Sequence, residues 1–250
     1  MKQRSAIIFF SIVLLILFIA ATACTKAGNT IITTQPVPVD TGTTPVVAHD
    51  TTALNWLALG DSYTIGQSVD SSQRYPAQTA ALLKTYNNIP IAGIQYIART
   101  GWTTSNLQTA INYTKPTGPF DIVTLLIGVN DQYQGIDTAV YRTGFTKLLQ
   151  QALQFANNKT KHVFVLSIPD YSVTPFGHGD AGISRQLAYF NAINKAITAY
   201  YNIAYIDITG ISTGMGNDAS LIANDGLHPS GKEYALWSLQ LQTAIVKAFK

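Results

Sequence analysis

The chain is short of cysteine, of charge and of the motifs of the commoner hydrolases, and each shortage excludes something. Cys24 is the only cysteine in 250 residues, so no intrachain disulfide can form. It also lies in a stretch read below as leader and tether, where no base can be held against it, which excludes a catalytic thiol. Charged residues make up 12% of the chain, 16 basic against 13 acidic, with too small an excess of either sign for a nucleic-acid partner. The Gly-x-Ser-x-Gly elbow, the Walker phosphate loop and the His-Glu-x-x-His zinc helix are all missing.

What is present begins with an export layout. Lys2 and Arg4 precede an uncharged, mostly apolar run, Ala6 to Ala23, that ends in small residues. Thr22-Ala23-Cys24 resembles a lipobox, with Ala21 where a leucine is usual, and implies lipidation of Cys24. An uncleaved anchor is the rival reading, since about 18 apolar residues just span a bilayer; the position of Cys24 favours the lipoprotein. Loss of residues 1–23 as a signal peptide leaves 14 basic against 13 acidic residues. Residues 24–53, rich in Thr, Pro, Val and Gly, read as a tether. His49 falls in it and is expected to be solvated. The expectation is an exported, membrane-anchored protein of the bacterial cell envelope whose domain, a monomer, spans 54–250.

In that domain strands and helices alternate. Strands are expected at Asn55–Leu59, Ile91–Ala98, Asp121–Ile127, His162–Ile168 and Ala204–Ile208, from short apolar and β-branched runs. Helices are expected at Tyr75–Tyr86, Thr103–Tyr113, from the Asp137 cap to Ala156, Ile183–Tyr201 and Ser230–Phe249, the last with a Ser230/Glu233 capping box. Five strands separated by helices imply an α/β fold, a three-layer α/β/α sandwich on a five-stranded parallel sheet.

Chemistry collects where strands end. Gly60-Asp61-Ser62 follows the first strand, Arg99-Thr100-Gly101-Trp102 the second, and Gly128-Val129-Asn130-Asp131 the third. In a parallel sheet these carboxyl ends share one edge, so Ser62, Gly101 and Asn130 should converge. A serine hydroxyl needs a base, and Asp225-Gly226-Leu227-His228 supplies one just before the last helix, with an acid three residues earlier to fix the imidazole tautomer. Backbone N–H groups and an Asn amide are the donors an acyl-transfer oxyanion requires. Taken singly, these are two turns, a helix cap and a surface histidine; it is their conjunction that points to catalysis.

The four stretches resemble, block for block, the motifs of the SGNH (GDSL) hydrolase family, over the whole domain from about Leu54. The resemblance implies a flavodoxin-like fold with Ser62 as nucleophile, His228 as general base and acid, and Asp225 orienting it. It also implies an oxyanion hole from the N–H groups of Ser62 and Gly101 and the Asn130 amide. No cofactor or metal is expected.

Other signals are weaker. Gly177-His178-Gly179-Asp180-Ala181-Gly182 fits a dinucleotide fingerprint as a string, but it stands too far after its strand and lacks the downstream acid, so a flexible loop is expected. His178 and Asp180 offer two metal ligands without a third, and His162 reads as structural.

The implied reaction is hydrolysis of a carboxylic ester through a Ser62 acyl-enzyme. Many exported members of the family deacetylate glycans, so a carbohydrate O-acetyl ester is the expected substrate, with Tyr63, Trp102 and Tyr133 placed to stack on sugars. A lysophospholipase or thioesterase is the alternative, with an acyl groove from Tyr171, Val173 and Phe176. From another class, a non-catalytic glycan-binding lipoprotein would be expected to have lost Ser62, Asn130 or His228, and all three are present.

Overall fold

A computed structural model of the protein describes residues 53–249. The leader, Cys24, His49 and the tether up to residue 52 lie outside the described residues. Among the described residues, no helix is long and apolar enough to cross a membrane.

In chain order the elements are β1 (Leu54–Gly60), α1 (Ser62–Ile65), α2 (Tyr75–Asn87), β2 (Ile91–Ala98), α3 (Thr104–Thr114), β3 (Ile122–Leu126), α4 (Val129–Tyr133) and α5 (Thr138–Phe155). They continue with β4 (Val163–Leu166), α6 (Ala181–Tyr200), β5 (Ala204–Ile206), α7 (Thr209–Ser212) and α8 (Gly231–Phe249). The five strands form one parallel sheet in the order β2-β1-β3-β4-β5. This is the α/β/α sandwich expected from the alternation of strand and helix.

The connectivity sets the layers. The chain steps from β1 outward to β2, then back across β1 to β3 and on through β4 to β5. Right-handed crossovers in opposite directions put their helices on opposite faces. Accordingly α2 packs with α8, while α5 lies between α3 and α6. Helices on both faces explain why the central strands are buried throughout: Trp56 to Leu59, all of β3 and all of β4 are enclosed, and the one polar residue among them, Thr124, accepts from Trp56 Nε1 at 3.0 Å. The edge strands β2 and β5 are mostly half-exposed.

The stripe expected on α5 faces inward, with Phe145, Leu148, Leu149, Ala152 and Leu153 buried, and Asp137 caps the helix through Ala139 N–H at 2.7 Å. Three local expectations are corrected. β3 begins after Asp121, whose carboxylate is spent on Asn55 N–H at 2.9 Å. β4 begins after His162, which closes a 3₁₀ turn and packs its ring 4.8 Å from that of Phe249, a structural place. The capping box on α8 is incomplete. Glu233 N–H reaches Ser230 Oγ only at 3.5 Å, and the Glu233 carboxylate turns inward to accept from Trp237 Nε1 at 2.8 Å.

Residues 171–182 are also more tightly held than a flexible loop. Gly177 and His178 N–H both donate to Thr174 O, Gly179 N–H to Ser172 O at 2.8 Å, and Asp180 caps α6 through Gly182 N–H. A Cβ on Gly177 would collide with the Tyr171 carbonyl.

Candidate active site

The order β2-β1-β3 makes the gap above β1 and β3 the topological switch point, where loops diverge to opposite faces and leave a crevice. Ser62 opens α1 directly after β1. Asp61 caps that short helix by accepting Tyr63 N–H at 3.0 Å, and Gly66 closes it in the left-handed conformation. The turn is tight because Gly60 has no side chain: a Cβ there would strike Thr64 Oγ1 and the Leu126 carbonyl.

The loops after β2 and β3 are stitched together. Asn130 Nδ2 donates to Trp102 O at 3.0 Å, leaving its second N–H uncommitted by that bond. The next residue, Asp131, is buried and accepts from Thr104 N–H at 2.9 Å and Thr104 Oγ1 at 2.6 Å, pinning the start of α3.

His228 arrives on a separate segment. Residues 222–229 turn back on themselves through an Ile222–Pro229 bridge and the bond from Ala223 N–H to His228 O at 2.8 Å. Phe176 N–H to Gly226 O, at 3.1 Å, fastens that turn to the 171–182 segment. His228 Nδ1 lies 2.6 Å from Asp225 Oδ2, while Asp225 Oδ1 accepts the N–H groups of Leu227 and His228 at 3.0 and 2.9 Å. Ser68 Oγ donates to the same Oδ2 at 2.6 Å. Partial burial alone would raise the Asp225 pKa. The bonds from Ser68, the His228 backbone and imidazole, and Leu227 outweigh it and hold the carboxyl well below the usual range.

A pocket of about 160 Å³ joins these parts, lined by Ser62, Tyr63, Thr100, Gly101, Asn130, Leu227 and His228, with Val129, Tyr133, Tyr171 and Phe176 forming an apolar wall. Ser62, Gly101, Asn130 and His228 thus open on one cavity, with Asp225 behind the imidazole. No hydrogen bond joins Ser62 Oγ to the imidazole among the described residues; such bonds are commonly long until substrate is bound.

The aromatic residues sort differently from expectation. Tyr63 lines the pocket but is almost fully buried, its ring edge-on to the His228 imidazole at 5.5 Å and 6.1 Å from that of Trp237, so it supports the histidine. Tyr133 does line the pocket and is 61% exposed, beside Phe176 at 5.9 Å. Trp102 is half-buried outside the lining, and Val173 packs near Gly216. Tyr171 is aimed by its hydroxyl bond to Gln132 Oε1 at 3.0 Å. Among the described residues no group of three His, Cys, Asp or Glu could hold a metal.

Among the described residues Asp61 is an acid buried directly beside Ser62. It is fully enclosed, and Oδ2 has no partner among the described residues. Burial pushes its pKa from 3.8 up to about 8, Tyr63 N–H opposes the shift, and nearby Asp131 adds to it. The native state therefore keeps a proton that the unfolded chain releases above about pH 4. Stability contributed by this group falls as pH rises through the interval from about 4 to about 8, then levels off. Thermal melts should show lower stability at pH 9 than at pH 5. The Asp61→Asn variant, an isostere of the protonated acid, should have a flatter profile; equal slopes for the two proteins would refute the assignment.

A parallel α/β sandwich with a serine, a His–Asp pair and two convergent donor loops at its switch point defines an SGNH-type serine hydrolase. The profile of the GDSL-like lipase/acylhydrolase family matches residues 58–236, and the chain belongs to that family. Solved structures share the fold. A lipase from a goat rumen metagenome superposes with a TM-score of 0.64 at 19% identity, covering 77% of this chain and 97% of that one. TesA gives 0.61 at 18% identity, covering 78% and 99%. An acetylxylan esterase from Geobacillus stearothermophilus gives 0.58 at 18% identity, covering 77% and 94%. No curated protein matches the chain.

Several contributors were not singled out from the sequence. Asp131, Gln132 and Ser68 act through bonds to residues 27, 39 and 157 positions away. Asp131 at least sits inside a recognised block; for Ser68 no local signal exists.

Proposed function

We propose that the protein is a serine esterase that removes short acyl groups, acetyl foremost, from a carbohydrate. Ser62 Oγ attacks the ester carbonyl while His228 takes its proton. Because Nδ1 is engaged by Asp225, the nitrogen that receives the proton is Nε2. Charge developing on the carbonyl oxygen is met by the N–H groups of Ser62 and Gly101 and by the free N–H of Asn130. Collapse of the tetrahedral intermediate expels the alcohol, which carries away the imidazolium proton and leaves an acyl-Ser62 ester. Water, deprotonated by the same imidazole, then attacks that ester; the carboxylic acid leaves and Ser62 regains its proton.

The observation that carries the substrate assignment is the size and lining of the cavity. At about 160 Å³ it has room for an acyl group of a few carbons and is smaller than the roughly 300–1,000 Å³ of pockets that engulf whole small molecules. Tyr133 and Phe176, 61% and 45% exposed, form an open aromatic edge suited to a sugar ring on the alcohol side. The similar structures include an acetylxylan esterase. A second reading has its own support: the wall of Val129, Tyr171, Phe176 and Leu227 is apolar and would suit the acyl chain of a lysophospholipid or thioester. Export, attachment through a lipid on Cys24 and a monomeric state are proposed from the sequence alone.

Turnover of p-nitrophenyl esters of increasing acyl length separates the two. We expect kcat/KM to be highest on acetate and to fall as the chain outgrows the cavity. A maximum at long chains would replace the carbohydrate reading with the lipid one.

A further inference from the structure

The residue that holds the acid in place comes from the nucleophile's own loop. α1 ends at Gly66 in the left-handed conformation, with Gln67 N–H bonded back to Ser62 O at 3.0 Å. Two residues on, Ser68 is again left-handed, with φ of 65°, a costly conformation for a residue with a side chain. Val69 anchors the next position by packing against the core. The backbone so held directs Ser68 Oγ to Asp225 Oδ2 at 2.6 Å, the same oxygen that the His228 Nδ1 approaches at 2.6 Å. Its neighbour Gln67 accepts from Thr100 Oγ1 at 2.6 Å, next to Gly101. One short loop thus grips both the acid of the His–Asp pair and the strand-end loop that carries Gly101.

We propose that Ser68 is a positioning residue for catalysis, acting through Asp225 to fix the orientation and proton affinity of His228. The Asp225 side chain is 30% exposed and sits within the 222–229 turn. Its Oδ1 is tied by two backbone N–H groups, but Oδ2 has the imidazole as its only other partner among the described residues. A donor on Oδ2 from an independent segment sets the carboxylate plane before the histidine is protonated. It also absorbs part of the negative charge, so the imidazolium is oriented without being held too strongly to give its proton to the leaving alcohol.

The inference rests on the triad proposed above, and its test distinguishes the two. Ser68→Gly removes the hydroxyl while relaxing the left-handed backbone; Ser68→Ala removes the hydroxyl and keeps the strain. If the hydroxyl is what matters, both variants lower kcat about tenfold and leave KM within about twofold, because Ser68 does not line the pocket. Both also shift the acidic limb of the pH–rate profile to higher pH. A carboxylate that has lost a donor is protonated more readily and binds the imidazolium more tightly, and the two effects move the limb the same way. The titratable groups that face Asp225 are Tyr63 and Tyr234, with Asp61, Asp170 and Tyr171 around Tyr63, Tyr75 near Tyr234 and Arg74 packed near Gly66. All are common to wild type and variants, so the difference between profiles reports Ser68. A Ser68→Gly profile that superposes on wild type, or a defect confined to Ser68→Ala, would overturn the proposal and leave Ser68 a backbone position only. Ser62→Ala, run alongside, must be inactive; activity there would sink the triad and not the Ser68 contact alone.

Discussion

Ser62→Ala is expected to lower kcat on a p-nitrophenyl ester by about 10⁶-fold, leaving only the rate that binding and the oxyanion donors supply. The fold should survive. Ser62 contributes no side-chain hydrogen bond among the described residues, and its helix is held by Asp61 and by backbone bonds from Gly66 and Gln67 that alanine retains. The melting temperature should therefore stay close to wild type, and the loss should appear in kcat more than in KM. Retention of even a hundredth of the wild-type kcat would mean that the nucleophile lies elsewhere.

Asp225→Asn should cost about 10⁴-fold in kcat, more than an ordinary hydrogen-bond deletion. The reason lies in what Asp225 accepts. Oδ1 takes two backbone N–H groups and Oδ2 takes Ser68 Oγ and faces His228 Nδ1. An amide has one acceptor oxygen and one NH₂. With the oxygen on the backbone donors, NH₂ faces the imidazole and forces Nδ1 to be the acceptor, so that Nε2 carries the proton and cannot act as base. With the amide reversed, NH₂ confronts two N–H groups and the turn that presents His228 is disrupted. Either arrangement disables the base. Circular dichroism should show an intact fold, and a fall of less than about tenfold would indicate that the histidine is held well enough without the acid.

Much of this was legible in the chain itself. The five strands follow from runs of five to eight residues and the five long helices from periods sustained over eleven to twenty, while three strand-end loops and the segment before α8 announce themselves by Gly-Asp-Ser, Gly101, Gly-Val-Asn-Asp and Asp-Gly-Leu-His. Boundaries moved where a side chain found a better partner than its own element: Asp121 left β3 for Asn55, and Glu233 abandoned the α8 cap for Trp237. Tyr63 reaches the pocket but is buried, because adjacency to a motif says nothing about direction. The Asp61 cap turns α1 so that the phenol points inward under His228.

Residue types and spacing by themselves determined the α/β class, the family and the set of groups able to perform acyl transfer, because strand and helix propensity, caps and motif chemistry are local properties. The tertiary structure alone decided which of those groups meet. Ser68 and Asp225 are 157 residues apart and touch only because β1 lies inside the sheet, between β2 and β3, and the chain returns over it before α8. The small apolar cavity, the burial of Asp61 and the exposed Tyr133–Phe176 edge likewise arise where separate loops close on one another, and no single segment encodes that geometry.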